Sequence, residues 1–139
     1  LGYKYHGNSI MAAIALVSLK YLDQDNAYRR QLVHWYRAQL DDQAAIRIVP
    51  VATGCESSSH LLQIRVRNRD GVMLALNEHE VYPGVHYRDN CEYGLYASAR
   101  GPCPHAAEAS QEVISLPMHV GMSKADVDTI SSLVIRYAK

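Results

Sequence analysis

The sequence is short of the features that mark several protein classes. Cysteine occurs three times, at Cys55, Cys91 and Cys103, an odd count at irregular spacing. That argues against a disulfide framework and fits a reducing, cytoplasmic setting. No apolar run approaches the ~20 residues that cross a bilayer, and the stretch from Ile10 to Leu19 is too short and too amphipathic for that role. Neither sign of charge is in excess, with 14 basic and 14 acidic residues. The balance gives no reason to expect nucleic-acid binding or attachment to an anionic membrane. Leu1-Gly2-Tyr3-Lys4 lacks the basic-then-apolar order of a signal peptide. A nucleophile elbow, a phosphate-cradling glycine loop and a His-Glu-x-x-His pair are all missing, as are repeats and low-complexity tracts.

What is present suits one α+β domain spanning residues 1–139, with 48% hydrophobic and 20% charged residues. Asn8 or Ser9 can cap a helix. Ile10, Ala13, Ile14 and Val17 follow at helical spacing, and the pattern continues through Tyr28, Leu32, Trp35, Tyr36 and Leu40. It reads as one long helix or two collinear ones. Ile46 and Ile48 flank Arg47 in a short strand that Pro50 stops. Leu62, Ile64 and Val66 alternate with Gln63, Arg65 and Arg67, a strand with one buried face. Asp70 is expected to cap a helix over residues 70–80 with Val72, Met73 and Leu76 inward. Val85 and Tyr87 suggest a short strand after the Pro83-Gly84 turn, and residues 88–102 read as irregular. Pro104 suits the first turn of a helix running to about Leu116, where Pro117 ends it. Ser123 and Asp126 form a capping-box variant before a last helix carried by Val127, Ile130, Leu133, Val134 and Tyr137. The expected architecture is a long N-terminal helix with a small, mostly antiparallel sheet of about three strands covered by helices.

Three groups of residues can carry chemistry. Cys91, Cys103 and His105, with His86 nearby, are zinc-ligand types. Their spacing lacks the close pairs of zinc sites, so no metal is expected. His86, Tyr87 and Arg88 follow a turn and together can hold a phosphate or pyrophosphate through charge-assisted hydrogen bonds. An exposed polar loop with Tyr87 packed inward explains the same residues. Lys4 and His6 precede a helix whose free N–H groups attract anions, although such segments are commonly just solvated.

Five stretches, in register, resemble the C-terminal domain of the DegT/DnrJ/EryC1/StrS sugar aminotransferases. They are "GYKYHGNSIMAAIALVSLKYLD", "DNAYRRQLVHWYRAQL", "SSHLLQIRV", "RDGVMLALNEHEVYPGVHY" and "CPHAAEASQEVISLPMHVGMSKADVDTI". The resemblance implies the small domain of a fold-type I, pyridoxal-phosphate enzyme acting on nucleotide-linked keto sugars. It implies that the long helix connects to a large cofactor domain absent from this chain. In that family the cofactor lysine lies upstream. None of Lys4, Lys20, Lys124 and Lys139 stands in a matching motif, so no cofactor is expected to bind here. By the same resemblance, Lys4 stands where relatives use Asn to reach a cofactor phosphate across the dimer, and His6 stands where they use Arg. His86 and Tyr87 match the pair that binds the nucleotide-sugar pyrophosphate, and Arg88 replaces a frequent Pro.

The expected function is therefore that of an isolated small domain, inactive alone. The alternative is a free-standing binding or assembly module that recognises a nucleotide sugar or a protein partner. Loss of the large domain is expected to expose a face through which the chain forms a homodimer, with Tyr3, Tyr5, Trp35 and Tyr36 as candidates for that face.

Overall fold

The computed structural model describes residues 7–99, 101 and 103–139. Helix α1 (Ser9–Leu19) starts at Asn8, whose side chain accepts the Met11 N–H at 2.9 Å. Lys20 and Tyr21 bond back to Val17 and Ser18, a tightened last turn that separates α1 from α2 (Leu22–Leu40). Asp23 and Asp25 in the first turn of α2 favour a fresh helix start there. Of the two expected forms, one long helix or two, the structure has two helices, with neither glycine nor proline at the break.

Strands β1 (Arg47–Ile48), β2 (Leu62–Arg65) and β3 (Val113–Leu116) form one antiparallel sheet in the order β1-β2-β3. Ile48 faces Ile64, and Leu62, Gln63, Ile64 and Arg65 face Leu116, Ser115, Ile114 and Val113. The period of two directs Leu62, Ile64, Ile114 and Leu116 to one face of the sheet. There they pack with Leu32, Tyr36 and Leu40 of α2, Val72 and Leu76 of α3 (Arg69–Glu78), and Val127, Ile130 and Val134 of α5 (Lys124–Tyr137). Each fully buried aliphatic side chain contributes about 1.5–3 kcal/mol. Ser123 and Asp126 form the expected box at the start of α5: the Ser123 N–H donates to Asp126 at 2.7 Å, and the Asp126 N–H returns to Ser123 Oγ at 3.3 Å.

Several expectations are corrected. Helix α4 (Pro104–Glu112) ends before Val113, and residues 113–116 form β3. All four are buried, so no alternation announces a strand, and pairing with β2 decides the state. Helix α3 begins after Asn68, whose side chain makes no capping hydrogen bond, and Asp70 sits inside its first turn rather than at the cap. Val85 and Tyr87 form no strand; the only ladder contact there joins Gly84 to Ser115, covering the outer edge of β3. A single 3-10 turn at Asn90–Glu92 and a two-turn 3-10 helix at Gly94–Ala99 give local order to the irregular stretch. Tyr36 is fully buried, so it belongs to the core and not to an interface, and Trp35 packs edge-on against Tyr28 at 6.2 Å. Tyr3 and Tyr5 lie outside the described residues.

Candidate functional site

The face of the sheet away from the core carries Gln63 and Arg65 of β2 and Val113 and Ser115 of β3. With α4 and residues 86–91 this face encloses a cavity of about 610 Å³. His86, Tyr87 and Arg88 all line it, together with Cys91 and Cys103. The structure thus brings the predicted triplet to one concavity. Lys4 and His6 lie outside the described residues.

His86 is the most firmly placed of the three. Its Nδ1 meets Ser115 Oγ at 2.9 Å, and its backbone carbonyl accepts from Gln63 Nε2. Gln63 and Ser115 face each other directly across β2 and β3, so one register pair grips both the ring and the peptide of His86. Ser115 also exchanges backbone hydrogen bonds with Gly84, at 2.7 and 3.0 Å. The imidazole rests on Gly84, where a Cβ would come within 2.7 Å of its Cε1. Tyr87 meets the ring edge-on at 5.0 Å. These supports were not visible beforehand. By spacing alone Gln63 is an ordinary outward residue of a strand, and Ser115 falls within the helix expected to run to about Leu116.

Tyr87 projects outward, 74% exposed, and not into the core as the loop alternative required. Arg88 is exposed and already engaged: its Nε donates to Glu92 at 2.5 Å and its guanidinium lies over the Tyr93 ring. Arg65, the other cation of the wall, is held by Glu112 at 2.7 Å and Glu108 at 3.2 Å. The cavity therefore offers directed donors more than free positive charge. His105 is not part of its wall. Among the described residues no group of three or more His, Cys, Asp or Glu side chains is placed to hold a metal ion. No helix among them is long and apolar enough to cross a membrane.

The DegT/DnrJ/EryC1/StrS aminotransferase family matches residues 1–134. The chain belongs to this family. Among solved structures it is similar to an aminotransferase, TlmJ, from Streptoalloteichus hindustanus, at 27% identity and a TM-score of 0.87, over 97% of this chain and 37% of that one. The Helicobacter pylori aminotransferase PseC, involved in the biosynthesis of pseudoaminic acid, gives 22% identity and 0.87 over 99% of this chain and 39% of that one. The sugar aminotransferase CalS13 from Micromonospora echinospora gives 22% and 0.87, over 97% and 37%. The chain thus spans well under half the length of each of these proteins, a domain-sized part of an aminotransferase. The last two likenesses show the fold.

The family's cofactor is pyridoxal phosphate, and the described lysines do not fit it. Lys20 is exposed at the end of α1. Lys124 is paired with Asp128 at 2.8 Å on the outer side of α5, and Lys139 is an exposed terminal residue. None of the three lines the cavity.

Proposed function

We propose that the chain is the small, C-terminal domain of a nucleotide-sugar aminotransferase. Lacking the cofactor lysine, it is inactive alone. In the whole enzyme it presents His86 and Tyr87 to the pyrophosphate of the substrate. The observation that carries this reading is the grip of Gln63 and Ser115 on His86, which pre-orients an imidazole at a cavity wall beside a solvent-facing phenol. Held donors lose little conformational entropy on binding an anion. Arg88 joins only by leaving Glu92, so affinity for the isolated chain is expected to be weak. In NMR titration with a nucleoside diphosphate hexose, shifts centre on residues 82–99 and disappear in the double variant His86→Ala, Tyr87→Phe. Shifts elsewhere, or shifts unchanged by that variant, overturn the assignment. Borohydride reduction of the chain mixed with pyridoxal phosphate is expected to label no single lysine stoichiometrically.

The partner side of the proposal rests on α1. Ile10, Met11, Ile14, Leu16, Val17 and Leu19 are all exposed, and no residue of the helix is buried. Contrary to the expectation of an amphipathic stretch, α1 is apolar around its circumference, and such a helix is normally covered. In the proposed enzyme the rest of the polypeptide covers it, and the chain on its own self-associates through it as a two-fold dimer. Light scattering at high concentration gives a dimer mass, and Ile14→Lys with Val17→Lys gives the monomer. A wild-type monomer throughout refutes the dimer.

A further inference from the structure

We propose that Cys91 and Cys103 form a thiol-oxidation site, a pair that glutathione disulfide converts reversibly into an internal disulfide at the cavity wall. This goes beyond the sugar-binding reading and does not depend on it. Two of the three cysteines, twelve positions apart in sequence, line the same cavity. Cys91 lies in the turn Asn90–Glu92 directly after the His86-Tyr87-Arg88 segment, and Cys103 is the residue from which α4 starts. Cys103 is exposed and Cys91 partly so, which leaves both within reach of a small disulfide. Cys55 belongs to the β1–β2 connection and lines no part of this cavity.

The local chemistry assigns an order to the two thiols. Asp89, which accepts the Cys91 N–H at 2.9 Å, raises the Cys91 thiol above its ordinary pKa, helped by partial burial and by the neighbouring Cys103 thiol. Cys91 is also the more covered of the two, so it is the slower to meet a disulfide, and the thiolate is the reactive form. Cys103 loses its proton to solvent and attacks one sulfur of glutathione disulfide, whose S–S bond breaks to release one glutathione thiolate. Cys91 then loses its proton, attacks the Cys103 sulfur of the mixed disulfide, and releases the second glutathione. Two protein thiols give up two electrons and two protons, and one glutathione disulfide becomes two glutathione thiols. The bond ties the start of α4 to the segment that follows the candidate anion site. Its exposure makes it easy to reduce again.

The test is peptide mapping of the reduced, folded chain after exposure to glutathione disulfide. Trypsin cuts after Arg100, between the two cysteines, so a bridge leaves two peptides joined. The expected product is a Cys91–Cys103 link at about tenfold or greater excess over any link to Cys55, because the fold holds the pair at high effective concentration. Dithiothreitol reverses it, Cys55→Ser leaves it intact, and denaturant during oxidation lowers the excess toward the smaller preference that the shorter loop alone gives. Cys91→Ser stops at a glutathione adduct on Cys103. Bridges that favour Cys55, or glutathione adducts on all three cysteines at similar rates with no internal bridge, overturn the proposal. The link forming as readily in denaturant does so too.

Discussion

Helices α1 and α2 are neighbours in the chain, and only one of them belongs to the core. Helix α2 is polar on average, with charged residues along most of its length, yet Leu32, Tyr36 and Leu40 are completely buried. Helix α1 is almost wholly apolar, and every residue is exposed. The difference lies in the spacing. Positions 32, 36 and 40 fall on one stripe, which meets β1 and α5. The apolar residues of α1 surround the helix, and among the described residues none of them is buried. Apolar content measures how much a segment gains from burial; the arrangement of its partners decides whether burial happens.

The sharpest way to break this comparison is to shorten one side chain on each helix. Leu32→Ala is expected to destabilise the chain by about 2–5 kcal/mol, from lost transfer energy and the cavity left behind. Ile14→Ala, measured by urea unfolding at a concentration where the chain is monomeric, is expected to stay within about 0.5 kcal/mol. Equal losses at the two positions would show that α1 has a partner surface inside the domain.

A second substitution separates the site from the core. Gly84→Ala drives a methyl group against the His86 ring, which Ser115 holds at Nδ1. The expected loss is about 1–3 kcal/mol, as for overpacked sites, with a changed imidazole NMR signal. An unchanged signal at full stability would mean that the ring is not seated on Gly84.

The smallest effect concerns Tyr36. Burial first, and the Asp126 carboxylate second, push its hydroxyl well above the ordinary tyrosine value of 10.0. The phenol donates to the Pro117 carbonyl at 3.1 Å. Below pH ~10 the phenol is protonated in both folded and unfolded chains, and its ionisation does not affect stability. Above that, the unfolded chain releases the proton and the folded chain keeps it, so stability falls by at most about 1.4 kcal/mol per pH unit from this group. Tyr36→Phe is expected to lose about 1 kcal/mol at neutral pH and to remove that part of the alkaline slope. Urea titrations at pH 9 and pH 11 on both proteins check it; the same slope in the variant would assign the loss to other groups.

Much of this was legible in the residues because the signals were local. Asn8 and the Ser123–Asp126 pair announced their helices, since a cap needs only atoms within one turn. Leu62, Ile64 and Val66 announced β2 by alternation. The triplet His86, Tyr87 and Arg88 was readable as a donor cluster, and the family resemblance rested on ordered stretches along most of the chain. Val113–Leu116 was not readable: four buried residues after a helical pattern carry no period, and only pairing with β2 makes them extended. The engagement of Arg88 by Glu92, one helical turn on, was equally hidden, because residues 88–102 gave no expectation of a turn there.

By itself, then, the sequence determined the α+β class, most helix starts, the inward side of β2 and the family, all of which depend on short-range spacing and on order along the chain. The tertiary structure decided where the third strand falls, the burial of Tyr36 and the bareness of α1. It also decided that Gln63 and Ser115, fifty-two positions apart, would hold one histidine. The physical reason is the same in each case. Hydrogen-bond pairing and burial depend on which distant surface arrives, and a strand register sets that contact only after the chain has closed on itself.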